Sequence, residues 1–137
     1  MPYKRILIAL SCEGNEKPLL KEAFTFKDAF DASLTVIHVN RPHAGEMSMM
    51  MDSEGVRYDE GSVKKIIEDF GFSPNDVTVV VTQEEYVKNA ISKAAVEYDL
   101  LIVGHRGVGP FLESISDTLD EEIINRVHCP VLVVPKS

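Results

Sequence analysis

The sequence predicts an α/β protein: an open, doubly wound sheet of five parallel strands with helices on both faces. Three observations carry this. Five short apolar runs are rich in β-branched residues. Four stretches between them repeat their apolar residues at helical spacing. The two kinds of segment alternate along the chain. The runs are continuous rather than alternating, as strands covered on both faces of a parallel sheet require, and such strands are joined by right-handed crossovers.

The first strand is the run Ile6-Leu7-Ile8-Ala9-Leu10. Leu19, Ala23, Phe26 and Phe30 then recur at helical spacing. Leu34-Thr35-Val36-Ile37-His38-Val39 forms the second strand. Val63, Ile66, Ile67 and Phe70 mark a second helix, which Gly71 and Pro74 bring to an end. Val77 to Val81 is a third strand, and Val87, Ile91, Ala94 and Tyr98 make a third helical stripe. Leu100-Leu101-Ile102-Val103 is the fourth strand. Ile115, Leu119, Ile123 and Val127 lie along a fourth helix. Val131-Leu132-Val133-Val134, between Pro130 and Pro135, is the fifth strand. With no linker and no internal repeat, residues 1–137 are expected to form a single domain.

One connection is unlike the rest. Asn40 to Val56 is long for a loop between strand and helix, and holds Met47, Met49, Met50 and Met51. Clustered methionines suit Cu(I), but no Cys or His stands among them in a soft-metal pattern, so a flexible cover over a groove or partner surface is the preferred reading.

A chain of 137 residues buries about two-thirds of its unfolded surface and so can hold its own core. With 22 Asp and Glu against 14 Lys and Arg, its net charge of −8 excludes a global basic footprint for nucleic acid or anionic lipid. No apolar run is long enough for a signal-peptide core or a membrane span, and a cytoplasmic protein is expected. Cys12 and Cys129 make neither a disulfide framework nor a zinc site, and they are expected at opposite ends of the sheet. His43, His105 and His128 show no metal-ligand spacing. His38 is expected to be a packed, hydrogen-bonded histidine.

Open α/β sheets bind ligands beyond the carboxyl ends of their strands. The segments that leave the strands are Ser11 to Asn15, Asn40-Arg41, Thr82-Gln83 and the turn Gly104-His105-Arg106-Gly107-Val108-Gly109-Pro110. Glycines directly after a strand let backbone N–H groups approach a phosphate. No glycine precedes a lysine as in a P-loop, and Leu112 stands where a dinucleotide fingerprint has its third glycine. No Gly-x-Ser-x-Gly elbow is present, nor an evident general base or carboxylate set for a metal, so efficient catalysis is not expected.

The opening Tyr3-Lys4-Arg5-Ile6-Leu7-Ile8-Ala9, the second strand, the turn Gly104-His105-Arg106-Gly107 and the ending Cys129-Pro130-Val131-Leu132-Val133-Val134-Pro135 resemble the universal stress protein family. The resemblance covers essentially the whole chain. It implies the strand order 3-2-1-4-5 and a homodimer in which the fifth strand, Val131, Leu132, Val133 and Val134, pairs antiparallel with its copy across a two-fold axis. It also implies a nucleotide site at Ala9, Leu10, Ser11, Val39, Gly104, Arg106, Gly107, Asp117, Thr118 and Leu119, for ATP or AMP with Mg²⁺. One branch of the family binds ATP through Gly-x-x-Gly-x9-Gly-(Ser/Thr), and the other lacks the motif and does not detectably bind it.

This sequence departs from the binding pattern at two places. Gly104 and Gly107 match and Thr118 fits the hydroxyl position, but Asp117 replaces the third glycine. Ser11 stands where the binding branch has the aspartate that faces ribose and adenine. Val39, whose backbone would meet adenine, is retained. A carboxylate at 117 adds bulk and like-charge repulsion against a phosphate chain. Glu113, Asp120, Glu121 and Glu122 deepen the acidity, which the positive end of a helix favours, with Ser114 or Ser116 as its cap; His105 and Arg106 offset part of the charge. The expected function is a dimeric stress-response module without robust ATP binding, acting through protein partners. The alternative is a nucleotide-binding member with slow ATP hydrolysis or phosphorylation.

Overall fold

The computed structural model describes residues 3–12, 16–40, 42, 57–105 and 123–135. In chain order these form β1 (Arg5–Ala9), α1 (Lys17–Phe30), β2 (Ser33–Asn40), α2 (Glu60–Asp69), a 3₁₀ turn (Pro74–Asp76), β3 (Thr78–Gln83), α3 (Val87–Ala95), β4 (Leu100–His105), a helical turn at 123–126 and β5 (Val131–Pro135). The strands make one sheet, ordered β3-β2-β1-β4-β5, and every pairing is parallel. The expected architecture and strand order are both present. All five carboxyl ends therefore lie on one side. The chain reverses its direction of travel across the sheet between β1 and β4.

The alternate residues of β1, β2, β4 and β5 feed two cores, whereas β3, at the sheet edge, contributes Val79 and Val81 to one of them. Ile6, Ile8, Val36 and Ile102 pack with Leu19, Leu20 and Ala23 of α1 and with Val63 and Ile67 of α2. Leu7, Ile37, Leu101 and Val103 pack with Ile91 and Ala95 of α3 and with Ile123. Two buried faces explain why these strands read as unbroken apolar runs.

Local chemistry sets the helix ends. Pro18 sits in the first turn of α1, where a missing N–H costs nothing, and Asp31 closes the helix in the left-handed region at φ 50° while the Ala32 N–H donates to the Lys27 carbonyl at 2.9 Å. A capping box opens α2. The Ser62 N–H donates to Asp59 Oδ1 at 2.7 Å, and the Asp59 N–H donates back to Ser62 Oγ at 3.4 Å. Gly71, at φ 94°, supplies the left-handed stop.

Several element bounds shift by a residue or two, as β1 does by ending at Ala9 rather than Leu10, and two departures have a clear cause. Tyr98, expected on the third helical stripe, lies beyond α3. There the guanidinium of Arg5 stacks on its ring at 4.8 Å, and Asp99 accepts the N–H groups of Lys4 and Arg5, both at 2.9 Å. These contacts tie the chain to the start of β1 instead of letting the helix continue. β3 starts one residue later than expected and runs on to Gln83, because Asn40 and Gln83 are still in register. Of the expected fourth helix, Ile123 is helical and Val127 donates its N–H to the Ile123 carbonyl, whereas Ile115 and Leu119 lie outside the described residues. No described helix is long and apolar enough to cross a membrane.

Candidate functional site

The candidate site is the set of strand exits where the sheet reverses its winding. Ala9 and Val39 are partly covered and pack on the core that holds α3; they form the wall between β1 and β2. Leu10 is turned to the opposite core and is 2% exposed. Gly104 lies near the end of β4, in register with Val134 of β5. The structure thus brings Ala9, Leu10, Ser11, Val39 and Gly104 to one end of the sheet. Arg106, Gly107, Asp117, Thr118 and Leu119 lie outside the described residues, as do the acidic residues around Asp117 and the Met47–Met51 cluster.

Beneath the β1 exit is a group of residues that periodicity does not single out. Glu16, immediately ahead of α1, is fully buried. Its Oε2 accepts the Ser11 N–H at 2.9 Å and the Ser11 hydroxyl at 3.1 Å, and its Oε1 accepts the Cys12 N–H at 2.7 Å. These charge-assisted bonds satisfy a carboxylate that burial alone would strongly disfavour. They hold Cys12 in the left-handed region at φ 65°. Such a conformation is uncommon for a residue with a Cβ and persists where the surroundings over-determine it.

The other side of the same peptide is held from β2. His38 Nδ1 lies 2.8 Å from the Leu10 carbonyl oxygen. The Leu10–Ser11 peptide is therefore bracketed, its carbonyl by a buried imidazole and its N–H by a buried carboxylate. His38 Nε2 lies 3.1 Å from Asn40 Oδ1. The Asn40 amide is oriented by Tyr58, whose N–H donates to Oδ1 at 3.0 Å and whose carbonyl accepts from Nδ2 at 2.7 Å. Flipping the amide would set donor against donor and acceptor against acceptor. Both nitrogens of His38 consequently face oxygens.

Tyr58 closes the circuit. Its hydroxyl donates to the Cys12 carbonyl at 3.1 Å, and its ring meets His38 edge-on at 5.0 Å between centroids. Asn40 is 3% exposed and His38 5%. The ring of bonds runs from Asn40 to His38, along the chain from Leu10 to Cys12, across Tyr58 and back. It fixes the backbone of the β1 exit against β2 and the chain entering α2. The packed, hydrogen-bonded His38 expected from sequence is present. Glu16 and Tyr58 are absent from the expected site, because an acid before a helix ordinarily reads as an exposed end residue. The one clue in the sequence is its place, five residues after Ser11 and just before Lys17-Pro18.

Neither cysteine is in a disulfide. Cys12 is buried at the β1 exit. Cys129 precedes β5 at the other end of the sheet, and its thiol pKa is pushed up by burial, with the Asp99 charge adding to the shift. Among the described residues no group of three His, Cys, Asp or Glu side chains is placed to hold a metal.

Comparison with known proteins bears on the family and the fold. The model of the universal stress protein family matches residues 2–135. The universal stress protein MJ0531 of Methanocaldococcus jannaschii is 30% identical over 145 residues, which span 98% of this chain and 83% of that protein. Two solved structures share the fold. A universal stress protein in complex with cAMP has a TM-score of 0.66 at 16% identity, with 98% of each chain covered. The universal stress protein of Archaeoglobus fulgidus in complex with dAMP has a TM-score of 0.59 at 14% identity, with 98% of this chain and 99% of that one covered. With this strand order and a family match over nearly its full length, the chain belongs to the universal stress protein family.

Proposed function

We infer that this is a dimeric, cytoplasmic universal stress protein that acts through protein contacts, with a nucleotide site altered so that ATP binds weakly. The observation that carries this reading is the β1 exit. Where the binding branch offers an aspartate to the nucleoside, this chain has Ser11, whose hydroxyl is bonded inward to Glu16. Asp117, in place of the third motif glycine, would further oppose a triphosphate. The test is calorimetric titration with ATP and Mg²⁺. The wild type is expected to show no micromolar affinity, and Asp117→Gly is expected to gain affinity. Micromolar ATP binding by the wild type would overturn the reading.

The complexes of related proteins with cAMP and dAMP favour a second reading, in which the exits hold a nucleoside monophosphate such as AMP. Retention of Val39 and Gly104 at the same end of the sheet supports it. The same calorimeter run with AMP separates the two readings. The dimer is proposed to close through β5, whose Val131, Leu132 and Val133 are only half-buried at the sheet edge. An exposed apolar edge invites pairing. Light scattering at tens of micromolar is expected to give twice the chain mass, and a monomer would refute the pairing.

A further inference from the structure

We propose that Glu16 is the residue that sets the β1 side of the site: this chain carries its acid beneath the exit, where the binding branch carries one on it. The inference rests on the reading of the exits as a nucleotide site. Three donors, the Ser11 N–H, the Ser11 hydroxyl and the Cys12 N–H, converge on one fully buried carboxylate. Glu16 therefore acts through the backbone and through Ser11, as a positioning residue that touches no ligand. It draws the Ser11 hydroxyl toward α1 and commits both exit N–H groups to the protein itself. His38, on the carbonyl side of the same peptide, holds that geometry from β2.

One consequence separates this from ordinary packing. The Ser11 hydroxyl is 3.1 Å from Glu16 Oε2, so an aspartate at position 11 would set a second carboxylate beside a buried one. Like charges so placed oppose one another strongly. An acid at 11 and an acid at 16 are thus alternatives. Restoring the binding-branch aspartate therefore sets two carboxylates against each other, and replacing Glu16 by a neutral side chain relieves the conflict.

The experiment is a double-mutant cycle of Ser11→Asp and Glu16→Gln in the full chain, read by thermal midpoint and by AMP titration. Ser11→Asp alone is expected to lower the midpoint by about 5 °C or more. In the double variant the amide introduced at position 16 can donate to the carboxylate introduced at position 11. That variant is expected to recover at least half of the loss and to bind AMP at least tenfold more tightly than Ser11→Asp alone. Ser11→Asn, matched to aspartate in size and able to donate to Glu16, is expected to stay near the wild-type midpoint. If Ser11→Asp does not fold, a folded Ser11→Asn and a folded double variant support the proposal by themselves. Additive stability effects in the cycle, or equal losses in Ser11→Asp and Ser11→Asn, would overturn it. If no variant binds AMP while the stability coupling is present, the nucleotide reading fails and the Glu16–Ser11 exclusion stands.

Discussion

Asn40→Ala tests whether the circuit beneath the β1 exit is closed. The side chain is 3% exposed and makes three contacts: to the Tyr58 N–H at 3.0 Å, to the Tyr58 carbonyl at 2.7 Å and to His38 Nε2 at 3.1 Å. Alanine removes all three at once. A buried polar group left without a partner costs about 1–3 kcal/mol. Tyr58 is only partly covered, so water recovers part of its loss, while the His38 ring is buried and recovers little. The expected destabilisation is about 3 kcal/mol, a large share of the roughly 5–15 kcal/mol that holds a domain folded. Urea unfolding at neutral pH reads it as a lower midpoint with an unchanged slope. Gln83→Ala, at the exposed end of β3 in register with Asn40, is the control and is expected to stay within about 0.5 kcal/mol of wild type. A loss below about 1 kcal/mol for Asn40→Ala would show that the amide does not orient His38 and that the circuit is open.

Two further outcomes are expected. Leu101→Ala, at a fully buried position of β4 in the core that holds α3, is expected to cost about 2–5 kcal/mol in the same urea assay, and a smaller loss would mean that this core is not packed as described. The Asp59 pKa is held below its ordinary 3.8, chiefly by the Ser62 N–H, so the cap contributes at neutral pH and is lost as pH falls through that lowered value; protection of the Ser62 amide, taken as exchange relative to an unstructured chain at the same pH, should fall over that acid range in wild type and already be low at neutral pH in Asp59→Ala, and equal protection in the two proteins at neutral pH would refute it.

How much of this is legible in the sequence depends on what each feature rests on. The central strands are legible because burial on both faces leaves no polar residue to interrupt Ile6-Leu7-Ile8 or Leu101-Ile102-Val103, and the edge strand β3 is legible from its β-branched run Val79-Val80-Val81. Strand order is not available from periodicity, since right-handed crossovers permit several orders; the family resemblance supplies it. The end of α3 is hidden because Tyr98 fits the helical spacing, and only its stacking with Arg5, distant in sequence, draws it away. His38 is legible as a packed residue because it interrupts an apolar run. Glu16 is not, because the donors that make its burial tolerable belong to the backbone of Ser11 and Cys12, and a backbone N–H leaves no mark on a sequence.

Fold and ligand chemistry are set here by different residues. The fold rests on apolar runs that are indifferent to what stands at their ends, so the sheet order does not depend on the residues at positions 11 and 117. The exits are set by a few polar groups held in fixed directions. Glu16 shows how strongly. A fully buried carboxylate is poor material for stability, and an apolar residue of similar volume often serves a core as well or better. That exchange is disfavoured at position 16, because an apolar side chain would remove the acceptor that the Ser11 and Cys12 N–H groups now use. The requirement comes from the shape of the exit, with Cys12 at φ 65°, and not from the core beneath. Reshaping the exit therefore means displacing a buried carboxylate together with its hydrogen bonds to Ser11 and Cys12. A change at position 11 or 16 is therefore expected to alter the exit while leaving the sheet order as it is.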